Sequence, residues 1–285
     1  MKEKYKCIFL LCIISLSCFF CGCSNKVLKH GSFEDPALLP DTKRIGAALR
    51  DAAIDPYIGI TTAALIVTAA SGKDKQISSY AARHTPVFGS NENARTATNI
   101  TVAASAGIAA LTYTVKYLQL HQPSGQNSCP VQTEFGIPSG LYAPLVSAEV
   151  AVVSGALTLG TTTLIKNAAK RERPDLSDAL SFPSMHTSVT AVANTYSART
   201  INSMSLSPSY SYPAYAALTA LTLCTAWGRV EGGKHYPTDV MAGALIGTFF
   251  ANAAYNAFLG PYLYIENFNL QITPNGAAAA AALNF

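Results

Sequence analysis

Apolar positions in this chain gather into long blocks divided by short polar punctuation. Segments near 46–71, 96–119, 140–170, 184–200, 213–228 and 238–259 are each long enough for a helix, and Gly, Pro, Ser and Asn clusters separate them. No convincing period-2 alternation and no internal repeat is present. The pattern therefore predicts an all-α helical bundle, with a polar insertion at about 120–139. The low-complexity end, "NGAAAAAALNF", contains an alanine tract suited to a short helix.

The N-terminus has a different pattern. Lys2, Lys4 and Lys6 precede an apolar run from Cys7 to Cys21, followed by Gly22-Cys23-Ser24, the layout of a secretory signal. A small residue directly before Cys23 resembles the cleavage site of bacterial lipoproteins, in which the cysteine is lipidated and becomes the first mature residue. Phe20 and Cys21 depart from that pattern, and an uncleaved anchor helix or a plain secreted precursor is the alternative. Residues 24–45 mix charge, Pro and Gly without periodicity and read as a tether. The resulting division is a lipoprotein-like signal peptide over 1–22, a tether over 23–45, a helical domain over 46–262 and a tail over 263–285. Ser24 after the cysteine suits, by analogy, outer-membrane sorting, which puts the expected location at a bacterial cell envelope, facing the periplasm. Removal of the signal takes Cys7, Cys12, Cys18 and Cys21 with it, leaving Cys129 and Cys224 either to pair or to stay free.

Composition narrows the classes. The chain has 285 residues, 49% of them hydrophobic and 13% charged, with a formal net charge of +4. That balance excludes a disordered tail protein and a nucleic-acid binder with a basic face. Thr96–Val115, Ile201–Gly228 and Val240–Ile265 are uncharged over lengths that could cross a bilayer. Their richness in Ala, Thr, Gly, Ser and Asn favours instead a water-soluble bundle held to a membrane by its lipid, with an integral helical protein as the alternative.

Three polar clusters interrupt the apolar blocks. In "KNAAKRERPDL", Lys166 and Arg173 are seven residues apart, two helical turns, and would share a face if the helix ran that far before Pro174. In "SFPSMHTSVT", Pro183 and Ser184 precede Met185 and His186 at an expected helix start. The free N–H groups there suit an anion, and Ser184 can cap the helix or donate to an oxyanion. The helix dipole disfavours protonated His186, whereas a bound phosphate would raise its pKa and fit it to act as a general acid. In "WGRVEGGKHYPTDVMAG", Arg229 ends an apolar segment and Pro237 suits the first position of the next helix. Asp239 lies four residues after His235, close enough to accept a hydrogen bond from its imidazole. Each cluster alone also has a structural reading: a solvated helix end, a cap, or a structural His–Asp pair.

Together the clusters resemble the signature of the type-2 phosphatidic acid phosphatase superfamily, which includes bacterial acid phosphatases and shares its site with vanadium-dependent haloperoxidases. The resemblance implies that family's helical bundle and phosphomonoester hydrolysis without a metal. In it His235 is the nucleophile that becomes phosphohistidine, Asp239 orients it, and His186 protonates the leaving oxygen and then activates water. Lys166, Arg173 and Arg229, with Ser184 and the Met185 amide, hold the phosphate oxygens. No cofactor is expected; vanadate would serve only in a haloperoxidase. His30, His84 and His121 lack ligand spacing. The expected substrate is a small organic phosphate or a lipid phosphate. Two positions depart from the family pattern: Met185 stands where glycine is usual, and Gly228 where serine is usual. Other readings are an integral lipid phosphatase, a vanadium haloperoxidase, and an inactive phosphate- or lipid-binding lipoprotein.

Overall fold

The computed structural model describes residues 37–120, 139–260, 268–273 and 276–281. Cys23 with the signal, the polar insertion and Cys129 all lie outside them.

Eight helices form the described bundle: α1 (Thr42–Ala53), α2 (Pro56–Ala70), α3 (Asp74–His84), α4 (Asn91–Leu120), α5 (Ser139–Ala169), α6 (Met185–Asn202), α7 (Pro208–Glu231) and α8 (Pro237–Leu259). Helix α1 starts inside the stretch read as a tether because Asp41 caps it, accepting from the Arg44 amide at 2.7 Å. Asp55 caps α2 and, with Pro56 at its start, splits the segment read as one block into two helices bent by 53°. Helix α3, in the charged stretch after Gly72, had no apolar signal to announce it.

Helices α6 and α8 are the centre. They pack most extensively on each other, with α4, α5 and α7 around α6 and with α1, α2 and α5 against α8. Their crossing needs glycine: a Cβ at Gly243 would come within 2.5 Å of the Ser184 carbonyl, and one at Gly247 within 2.3 Å of the Ser188 carbonyl. Only bare backbone fits there, which brings the start of α8 against the start of α6.

Much of the interior is hydroxyl and amide rather than aliphatic. Thr101 and Thr225 share a 2.6 Å hydrogen bond between α4 and α7. The Asn194 amide of α6 donates to the Leu218 carbonyl and the Thr222 hydroxyl of α7, both at 2.9 Å. Thr162 of α5 donates to Ser188 of α6 at 3.2 Å. Small residues let the helices approach closely, and the bonds between them satisfy groups that burial would otherwise leave orphaned. An apolar cluster of Val146, Val150, Tyr196, Ala254, Tyr255 and Leu259 fills one end of the bundle.

The helical reading holds across the described residues of 37–120 and 139–260, and the tail differs. Phe268–Thr273 (β1) pairs antiparallel with Gly276–Ala281 (β2), so the alanine tract is paired strand rather than helix. Cys224 is a free, half-buried thiol.

Candidate active site

The end of α5, the loop 170–184, the start of α6, the end of α7 and the connection 232–236 meet at one end of the bundle. All three sequence clusters are brought together there, but not by the shared helix face that the spacing of Lys166 and Arg173 offered. Helix α5 stops at Ala169, so Lys166 stands in its last turn and Arg173 in the loop beyond.

The Lys166 ammonium donates to the carbonyls of Leu180 and Pro183, each at 2.7 Å, tacking the loop to α5 just before α6 begins. Arg173 donates through Nε to Asp178 at 2.6 Å and through Nη1 to the Lys234 carbonyl at 3.2 Å, and Nη1 also lies 3.3 Å from His235 Nε2. A guanidinium can only donate, so Nε2 accepts and the His235 proton resides on Nδ1.

Ser184 is fully buried and caps α6, its Oγ accepting from the Thr187 hydroxyl at 3.0 Å and the Thr187 amide at 3.5 Å. Met185 is the first helical residue, and it and His186 are half-buried. Pro237 opens α8 as its position predicted. Arg229 is buried in the last turn of α7, and its Nε has no hydrogen-bond partner among the described residues. Its carbonyl accepts from the amides of Lys234 and His235, which turns the chain back toward the site.

His235 is 1% exposed, and its Nδ1 lies 3.5 Å from Asp239 Oδ2, long for a hydrogen bond but with no other acceptor near it among the described residues. Asp239 is wholly buried. Its Oδ2 accepts from Ser181 Oγ at 2.5 Å and the Tyr236 amide at 2.8 Å, and its Oδ1 from Arg171 at 2.7 Å. Burial alone would push its carboxyl up, but His235, Ser181, the Tyr236 amide and Arg171 outweigh this and hold it below the usual carboxylate range.

The histidines are held neutral. Burial, then the positive charges of Arg229, Arg173 and Lys166, bring His186 down to about 4. His235 is also brought down to about 4, by burial first; Asp239 opposes this, and Arg229 and Arg173 add to it. Burial and the neighbouring Arg173 and Arg95 lower Arg229 to about 10. Cations converging on neutral imidazoles, with one guanidinium nitrogen unpartnered, make a site electrostatically prepared for an anion.

Arg171, Ser181 and Asp74 were not singled out from sequence. Arg171 was visible only as one charge in a basic run, and Asp74 joins the site from α3 with no local signal. Glu231, also buried, accepts from the Phe88 amide at 2.6 Å, the Val87 amide at 3.2 Å and the Trp227 indole at 2.8 Å, fixing the end of α7 against the turn before α4. Gly228, the departure from the family serine, has a local reason: a Cβ there would meet Thr98 Oγ1 at 2.6 Å and the Ala94 carbonyl at 3.1 Å. No comparable contact explains Met185.

A solved structure similar to this chain is that of a transmembrane PAP2-type phosphatidylglycerolphosphate phosphatase from Bacillus subtilis, at 18% identity and a TM-score of 0.40, covering 73% of this chain and 92% of that one. No curated protein matches. Residues 148–260 match the model of the PAP2 superfamily. That interval contains Lys166, Arg173, Ser184, Met185, His186, Arg229, His235 and Asp239. The three clusters therefore meet within a stretch of the chain, 148–260, that is similar to the PAP2 superfamily.

Proposed function

We propose that the chain is a phosphatase that hydrolyses phosphomonoesters without a metal, through a phosphohistidine on His235. The observation that carries this reading is His235 Nε2 lying 3.3 Å from the donor-only guanidinium of Arg173, beside the cluster of cations, with Nδ1 facing Asp239. Neutral imidazole is the nucleophilic form, and its proton on Nδ1 faces a carboxylate that can stabilise the cation formed as Nε2 bonds to phosphorus. Lys166, Arg173 and Arg229 neutralise the equatorial oxygens, where phosphoryl transfer gathers charge. His186, held neutral by burial and the surrounding cations, gains a proton when a phosphate dianion offsets those cations, and delivers it to the leaving oxygen. The same imidazole, now neutral, takes a proton from water as that water attacks phosphohistidine.

The test is phosphate release from an aryl phosphate by the full chain in the presence of a chelator. His235→Ala and His186→Ala are each expected to abolish turnover while retaining the helical circular dichroism of the wild type. Wild-type rates in either folded variant would sink the assignment. Activity that needs added vanadate, halide and peroxide would move it to the haloperoxidase branch.

The outer surface favours a lipid phosphate over a small soluble one. Helix α2 has no buried residue and no charge, and Ile60 on it is 72% exposed. Leu141–Ala169 is long and apolar enough to cross a bilayer, is only one-third buried over its most apolar window, and turns Val152 (70%) and Leu164 (72%) outward. These faces fit the hydrocarbon of a membrane, and they support an enzyme seated in lipid rather than merely tethered beside it.

A further inference from the structure

The Asp239 carboxylate, on which the aim of His235 depends, is itself held by two residues to which the sequence signature assigns no role. Arg171, from the loop after α5, donates through Nη1 to Asp239 Oδ1 and to Thr238 Oγ1, both at 2.7 Å, and through Nη2 to Asp74 Oδ2 at 2.6 Å. Its guanidinium also lies 4.1 Å from the centroid of the Tyr236 ring, which fixes the plane of the fork. Asp74, at the start of α3, accepts from the Thr238 amide at 3.0 Å and the Thr238 hydroxyl at 2.5 Å, so it caps α8 from outside. The chain of contacts runs Asp74, Arg171, Asp239, His235, and every link is buried or partly buried.

We infer that Arg171 and Asp74 are positioning residues that fix the Asp239 carboxylate and, through it, the tautomer and direction of His235. The inference rests on the reading of His235 as the nucleophile. With both Asp239 oxygens anchored, the carboxylate cannot rotate, and Oδ2 stays opposite Nδ1. Without Arg171, Oδ1 loses its charged donor, the carboxylate is held only through Oδ2 by Ser181 and the Tyr236 amide and can pivot about that oxygen, and the His235 proton can move to Nε2. An imidazole protonated there has no lone pair for phosphorus.

The test uses the full chain with Arg171→Ala, Arg171→Lys and Asp74→Asn, and reads two quantities. The first is the nitrogen chemical shift of His235 in ¹⁵N-histidine-labelled protein, assigned by its loss in His235→Ala. Wild-type protein is expected to show the Nδ1–H form, and the Arg171 variants a mixture of tautomers. The second is steady-state hydrolysis of an aryl phosphate. Loss of aim on this scale lowers kcat on the order of 10²-fold, while KM changes little because the phosphate-holding cations are intact. Asp74→Asn keeps the shape and an acceptor oxygen for the Thr238 amide but removes the charge and the oxygen that Arg171 donates to, and is expected to fall between wild type and Arg171→Ala. It also serves should Arg171→Ala fail to fold. Folded variants with the wild-type tautomer and an unchanged kcat would overturn the inference, as would a rise in KM alone. A wild-type protein with no phosphatase activity would instead refute the proposed reaction, and the tautomer measurement would still decide the positioning role.

Discussion

At the scale of single residues, the two histidines tie stability to acidity. Each is held near 4 in the fold, whereas an unfolded imidazole titrates at about 6.5. With the folded value below the unfolded one, the unfolded chain binds more protons between the two. Stability is therefore complete above about 6.5 and is lost as the pH falls from there toward 4. Denaturant midpoints at pH 7 and pH 5 are expected to differ for wild type and to differ less for His186→Asn; equal pH dependence in both would contradict this. The residue scale is also where the sequence was most legible. Lys166, Arg173, Ser184, His186, Arg229, His235 and Asp239 all meet at one end of the bundle, because each sits in or next to a helix terminus whose caps and prolines were visible. Asp74 could not be read in the same way. Its link to Thr238 spans 164 positions and depends on where α3 docks, for which no short motif exists.

At the scale of elements, the α6–α8 crossing sets the site. Backbone contact at Gly243 and Gly247 brings Ser184 N to within 2.9 Å of the Asp239 carbonyl, and so joins the histidine of one cluster to the histidine of another. Gly247→Ala puts a methyl group where Ser188 O and Val192 N already lie at 2.3 and 2.8 Å. Overpacking of this kind costs about 1–3 kcal/mol. The expected result is a lower melting temperature together with reduced kcat, because the two helix starts are driven apart. An unchanged melting temperature would show that the crossing gives way more easily than its geometry indicates. The same packing explains why boundaries were harder to read than helix content. Interior faces carry Ala, Gly, Ser, Thr and Asn, while Ile60, Val152 and Leu164 face out. A search for buried large apolar residues therefore misreads α2 and the middle of α5.

At the scale of the whole molecule, charge is sparse along the helices. Residues 56–70, 96–115, 150–165, 187–198, 208–228 and 240–259 carry no Asp, Glu, Lys or Arg, and the buried Asp55 that meets Asn252 within the last of these is held by a hydrogen bond. Outward apolar side chains of α2, α5 and α7 lie in these uncharged stretches. The composition argument for a water-soluble bundle weighed how few large apolar residues there are; the fold shows that many of those present point outward. A chain lacking residues 1–23 is accordingly expected to remain with membranes through a high-salt wash and to be released by detergent. Recovery in the aqueous fraction would restore the tethered soluble bundle.

The unpartnered Arg229 nitrogen, with Arg173 and Lys166 around it, has a further consequence. A cradle built for the charge of a phosphoryl group grips the phosphoryl group alone and draws little affinity from whatever alcohol it is attached to. Orthophosphate, the product, meets the same charges as the ester. The enzyme would thus slow itself as free phosphate accumulates and run fastest where phosphate is scarce, and its discrimination among esters would have to come from the surfaces outside the cradle.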